Sequence, residues 1–220
     1  MILLTSFSSY CLLLSLSERT RLSFGIKAGV TLFSANFNGF QYTDPVLDPA
    51  FQNNINQTFP NIGAGTYLFG DNYYLGLSAP NLMTSRHLET NNGVVGSGVE
   101  SVHFFLTGGY VFTLNGNDNL KIKPAFMAKG VQGAPVSLDL TTNVLINNKF
   151  EAGLGYRLDD SVSGLASFYV TPRLRIGYSY DYTLTNLRKF NTGSHEVFVL
   201  FDLDLGRLSG KGYDKSPRFF

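Results

Sequence analysis

Residues 174–187, 174-LRIGYSYDYTLTNL-187, alternate almost without fault. Leu174, Ile176, Tyr178, Tyr180, Tyr182 and Leu184 fall on one side of an extended chain, and Arg175, Gly177, Ser179, Asp181, Thr183 and Thr185 fall on the other. Strand side chains point to opposite faces with period two, so this is a strand with one greasy and one wet face. The fold turns on which face looks inward. In a soluble sandwich or small barrel the tyrosine row is the core; in a membrane barrel it faces lipid, and the wet row lines the lumen.

The same alternation recurs along the chain between clusters of turn residues. It predicts strands at about 6–16, 21–35, 59–69, 73–79, 100–113, 119–129, 135–146, 149–158, 162–170, 174–187 and 194–205. In the second, Leu22, Phe24, Ile26, Ala28, Val30 and Leu32 oppose Arg21, Ser23, Gly25, Lys27, Gly29 and Thr31. In the eighth, Phe150, Ala152, Leu154, Tyr156 and Leu158 oppose Lys149, Glu151, Gly153, Gly155 and Arg157. No helical period of comparable strength is present, although the segment after Pro80 is compatible with a short helix. These spans cover more than half the chain, far above the roughly 20–25% strand of an ordinary soluble domain. No linker, repeat or low-complexity tract divides it, so residues 1–220 read as a single domain.

Composition points the same way. Charged residues are 15% of the chain, net charge is +1, aromatics reach 14% without any Trp, and there are 23 glycines. An average soluble domain carries roughly 25% charge. The near-neutral balance gives no footing for a nucleic-acid partner. A single cysteine, Cys11, excludes an intrachain disulfide framework and a multi-cysteine zinc site. The opening "MILLTSFSSYCLLLSLS" lacks a basic n-region and is interrupted by hydroxyl residues, so it reads as a strand turning at "SERT" rather than as a signal peptide.

Connections alternate in length. "SERT", "GDN", "NGND", "NN" and "TP" are tight turns, most of them rich in residues that tolerate positive φ. Between them lie 36–58 and 80–99, both long, and the shorter 130–134, 159–161 and 188–193. Outer-membrane barrels segregate short turns and long loops to opposite ends. Eleven predicted strands also exceed the roughly eight whose side chains fill a closed interior. Their greasy rows carry rings too bulky to share a small core. An antiparallel up-and-down transmembrane β-barrel with the tyrosine row facing lipid is therefore the expected fold. Single-chain bacterial barrels have even strand numbers, so the odd count leads us to expect an odd number of strands upstream of Met1.

The search for chemistry is nearly empty. His87, His103 and His195 stand apart, with no HExxH spacing and no G-x-S-x-G. "GIKAG" and "GAGTYLFG" lie within strands with no helix to follow, so they read as close packing rather than phosphate loops. Lys121, Lys123 and Lys129 share one strand face, and a lumen ladder with Asp139 and Glu151 is a simpler account of them than an anion site. No catalytic residue, metal or cofactor is expected.

Residues 22–83, "LSFGIKAGVTLFSANFNGFQYTDPVLDPAFQNNINQTFPNIGAGTYLFGDNYYLGLSAPNLM", resemble the PorP/SprF family of Bacteroidetes, most specifically through "FPNIGAG…YYLGLSAPNL". The tail "GYDKSPRFF" is similar to family C-termini, and the likeness runs from about residue 10 to the end. The resemblance implies a non-enzymatic barrel of about fourteen strands in the cell outer membrane, part of the type IX secretion and gliding machinery. It also implies as partners other secretion components and a secreted adhesin-like client that is exported or anchored. The family's signal peptide, Asn-Pro segment and first strands have no counterpart here, and fourteen less eleven leaves three, an odd number. Within 36–58, Phe37, Phe40, Tyr42 and Phe51 form a candidate client-contact loop, or else brace the barrel mouth. The competing functions are a porin or hydrophobic-solute channel and, more distantly, a barrel-embedded enzyme.

Overall fold

A computed structural model describes residues 2–36, 54–83, 86–87, 98–99, 101–114, 119–190 and 192–201. Its strands are β1 (Ile2–Ser15), β2 (Arg21–Ala35), β3 (Ile55–Phe69), β4 (Tyr73–Ala79), β5 (Arg86–His87), β6 (Gly98–Val99), β7 (His103–Tyr110), β8 (Phe112–Leu114), β9 (Leu120–Val131), β10 (Ser137–Ile146), β11 (Phe150–Arg157), β12 (Ser161–Thr171), β13 (Leu174–Thr183) and β14 (Ser194–Phe201). Twelve of them form one sheet in the order β1-β2-β3-β4-β7-β9-β10-β11-β12-β13-β14, with β8 following β7 against β9. Every pairing is antiparallel. The result is an all-β, up-and-down wall eleven strands wide. Among the described residues β1 pairs only with β2, and β14 only with β13.

Several expected boundaries move. The expected strand 6–16 runs instead from Ile2 to Ser15 and is in register with β2 along its whole length, Ile2 opposite Ser34 and Ser15 opposite Arg21. β3 begins at Ile55, because β2 is long enough to pair with it from Ala35 onward. The strand expected at 100–113 is broken at Val111, whose N–H leaves the ladder to reach Asn72 O at 2.7 Å in the β3–β4 turn. The strand expected to run to 187 stops at Thr183 and gives way to a 3-10 turn at Asn186–Lys189. No helix follows Pro80 within 80–83, where Leu82 N–H instead bonds Ile62 O at 2.7 Å. Beyond Met83, only the β5–β6 ribbon and residues 101–102 of the connection to β7 are described, and residues 202–205 also lie outside the described residues.

Burial separates the two faces. On β11, Phe150, Leu154 and Tyr156 are exposed, while Glu151 and Gly153 are buried and Arg157 half-buried. On β13, Ile176, Tyr178 and Tyr182 are exposed, while Gly177 is buried and Arg175, Ser179 and Asp181 half-buried. A flat single sheet would expose both rows equally, so the wall curls with its wet face concave. Leu154 reaches 71% exposure and Val197 75%. Only Ala79, Val111 and Leu145 are buried hydrophobics among the described residues, so the sheet encloses no apolar core. This settles the facing of the opening stretch: its tyrosine row lies on the convex side.

That convex side has the form of a lipid-facing surface. Many of its aromatics lie toward the ends of the strands, with Tyr73, Tyr110, Phe112, Phe150, Phe168 and Phe201 toward the tight-turn end. Tyr156, Tyr180 and Tyr182 lie toward the other end. Strands of about ten residues, at roughly 3.3 Å each and tilted by about 40°, give an apolar band about 25 Å tall. Among the described residues no helix is long and apolar enough to cross a membrane. The tight turn at 147–149 places Asn147 and Asn148 at φ 53° and 52°, the left-handed region that Asn tolerates best after Gly. Asp159 does the same at φ 58° in the turn between β11 and β12. The two longest connections, between β2 and β3 and between β4 and β7, leave the wall at the same end.

Candidate functional site

The concave face of β9–β13 carries an ion-pair network that begins at Glu151. Period two points Glu151 inward beside Gly153, and pairing sets it opposite Ser167 of β12. Its Oε2 accepts hydrogen bonds from Arg175 Nη1 at 2.6 Å and Ser167 Oγ at 3.2 Å. Its Oε1 accepts one from Asn143 Nδ2 at 2.5 Å. Arg175 also donates to Tyr169 Oη at 3.2 Å and lies over that ring, 5.3 Å from its centroid. Small residues make this reach possible. A Cβ at Gly153 would stand 2.7 Å from Asn143 Oδ1, and Gly177 occupies the register position between Ser167 and β14.

A second network lies nearer the long-loop end. Arg157 grips Asp139 with both arms, Nε to Oδ1 at 2.5 Å and Nη2 to Oδ2 at 3.3 Å, the fork geometry that suits a carboxylate. Lys129 approaches the same carboxylate at 3.7 Å, and Asp160 meets Arg157 at 3.4 Å. Beside this group a cavity of about 460 Å³ opens on the concave face, lined among others by Tyr74, Thr107, Thr141, Ser163 and Asp181. Opposite charges are thus paired within the wall while hydroxyl groups face the open space. Such a surface holds water and resists collapse.

The expected ladder of Lys121, Lys123 and Lys129 with Asp139 and Glu151 is present in part. Lys129 does meet Asp139, but the short contacts belong to Arg157 and Arg175, which sequence reasoning left out of the ladder. Strand parity alone marks both arginines as inward; their partners, one or two strands away, depend on register. His103 and His195 lie on different strands, β7 and β14. His103 is on the wet row as expected, with Nδ1 2.8 Å from Ser101 O, and His195 is outward on β14. The backbone of His87 pairs with Gly98 in the β5–β6 ribbon. Among the described residues no three His, Cys, Asp or Glu side chains are grouped to hold a metal. Phe37, Phe40, Tyr42 and Phe51 lie outside the described residues.

The family model for the type IX secretion system membrane protein PorP/SprF matches residues 7–201. No curated protein is matched by the chain. The matched span runs from within β1 to the last residue of β14, so it takes in both ion-pair networks and most of the convex apolar surface. The greasy-out, wet-in wall is what a β-structured membrane protein requires. The chain belongs to the PorP/SprF family of type IX secretion system membrane proteins.

Proposed function

We propose that this chain is a non-enzymatic outer-membrane barrel wall that helps export or anchor adhesin-like proteins at the cell surface, alongside other type IX components. Family membership is the observation that carries this reading. The sidedness of the wall supports it: both longest connections leave at one end, where a client on the outer surface would meet them. Phe37, Phe40, Tyr42 and Phe51 of the first connection supply the apolar anchors in this reading. Deleting 38–52, a cut that stops short of β3, leaves the wall inserted, because loop length is thermodynamically cheap. Surface display of the client falls, and the client appears in the medium or accumulates inside. Display indifferent to the loop overturns the reading.

The cavity on the concave face favours a second reading, a diffusion porin. A porin conducts small solutes into liposomes after purification, and conducts faster once the loop is removed. The export reading expects no such free flux.

A further inference from the structure

The connection from β13 to β14 carries a feature that neither the lumen nor the export role uses. Residues 184–195, "LTNLRKFNTGSH", contain Arg188 and Lys189 and no acidic residue. Both basic side chains are exposed, and Phe190 beside them is 90% exposed, the highest value among the exposed large hydrophobics of the described residues. A ring so bare next to two cations is unfavourable in water and suited to a bilayer surface, where apolar and cationic groups are both accommodated.

The segment is tied to the convex face. Tyr180 points outward from β13, and its hydroxyl donates to Thr192 O at 2.6 Å. Gly193, at φ 112°, backs onto the same tyrosine; a Cβ there would stand 2.7 Å from Tyr180 Oη and 2.6 Å from Asp181 O. His195 packs its ring 4.7 Å from that of Tyr180, and its Nδ1 shares a 2.5 Å hydrogen bond with Tyr178 Oη. When the phenol donates, the ring proton sits on Nε2, where the exposed imidazole can donate outward. Tyr180 lies toward the long-loop end of β13, where an interfacial aromatic belt belongs. The inward carboxylates Asp181 and Glu196 are on the other side of the wall.

We propose that Arg188, Lys189 and His195 bind the phosphate of a lipid headgroup in the leaflet at the long-loop end, with Phe190 set among the adjoining acyl chains. The charge and the exposed ring together select a lipid over free phosphate, which has nothing to offer Phe190. The inference rests on the membrane reading of the wall and is independent of the export role.

The chain has no Trp, so Phe190→Trp in the full chain gives a single fluorescent reporter, and Leu154→Trp a second one on the wall. Each is reconstituted in phosphatidylcholine bilayers containing phosphatidylglycerol, with either lipid brominated. The Leu154→Trp signal is quenched by both lipids alike. The Phe190→Trp signal is quenched preferentially by the brominated anionic lipid. Its relative binding constant falls by about thirtyfold in the Arg188→Gln/Lys189→Gln background, from roughly 1 kcal/mol per basic residue near an anionic surface. Added salt weakens the preference. Equal quenching by the two lipids at position 190 overturns the proposal, as does relief of quenching by inorganic phosphate, which would leave a plain anion site. A reporter at 190 that aqueous iodide quenches and bromolipid does not would free the segment for a protein partner and also overturn it. Absence of quenching at Leu154→Trp would remove the membrane reading itself, and the proposal with it.

Discussion

Glu151 is 2% exposed and accepts hydrogen bonds from three side chains on three different strands. A carboxylate so placed needs its cation, because an unpaired buried charge costs far more than the pair contributes. Glu151→Ala is expected to destabilise the folded protein in lipid by about 3 kcal/mol, since it strands Arg175. The double substitution Glu151→Ala/Arg175→Met costs less than the two single changes added together, read from urea unfolding of the three variants in vesicles. Strict additivity would mean that the side chains do not depend on each other. At this scale the sequence was only half legible. The inward row of lysines could be read from parity, but the choice of Arg175 for Glu151 and Arg157 for Asp139 depends on strand register and on the gap left at Gly153. Neither is encoded in a local pattern.

Strands follow from alternation, and here the reading was close. β2 and β4 have the expected limits, and most others differ by a few residues. The departures have local causes. β13 ends at Thr183, short of the alternation that runs on to Thr185, because Asn186–Lys189 turns tightly, and Val111 breaks one strand into two because its N–H is used elsewhere. The wet row of β14 is flawed by Phe198, and pairing explains the flaw. Phe198 stands opposite Gly177, and its ring occupies the space where a Cβ would sit. Gly177→Val is therefore expected to push β14 from the sheet and destabilise the protein by about 1–3 kcal/mol, as overpacking does. Adding Phe198→Ala returns most of that loss, measured by the same unfolding assay. A rescue that fails would place the ring somewhere other than over Gly177.

For the whole molecule, the decisive property is that the greasy rows are outside. Alternation shows that a strand has two unlike faces, but not which one water sees; composition, strand number and loop lengths supplied that choice, and exposure along the wall agrees with it. The register offers a test that holds depth constant. Thr141 of β10 stands opposite Gly155, and Thr142 opposite Leu154, so Thr141 and Leu154 are at nearly the same height on adjacent strands and on opposite faces. Thr141 lines the concave cavity, whereas Leu154 is 71% exposed on the convex side. The measurement is the unfolding free energy in lipid vesicles of Leu154→Arg and Thr141→Arg, each against the unaltered protein. An arginine on the lipid face near the midplane costs about 2–4 kcal/mol, while one in a hydrated lumen keeps its water and costs much less. Leu154→Arg is expected to carry the larger loss. Equal losses, or a greater loss for Thr141→Arg, would mean that the tyrosine row faces inward and the wall is inside out.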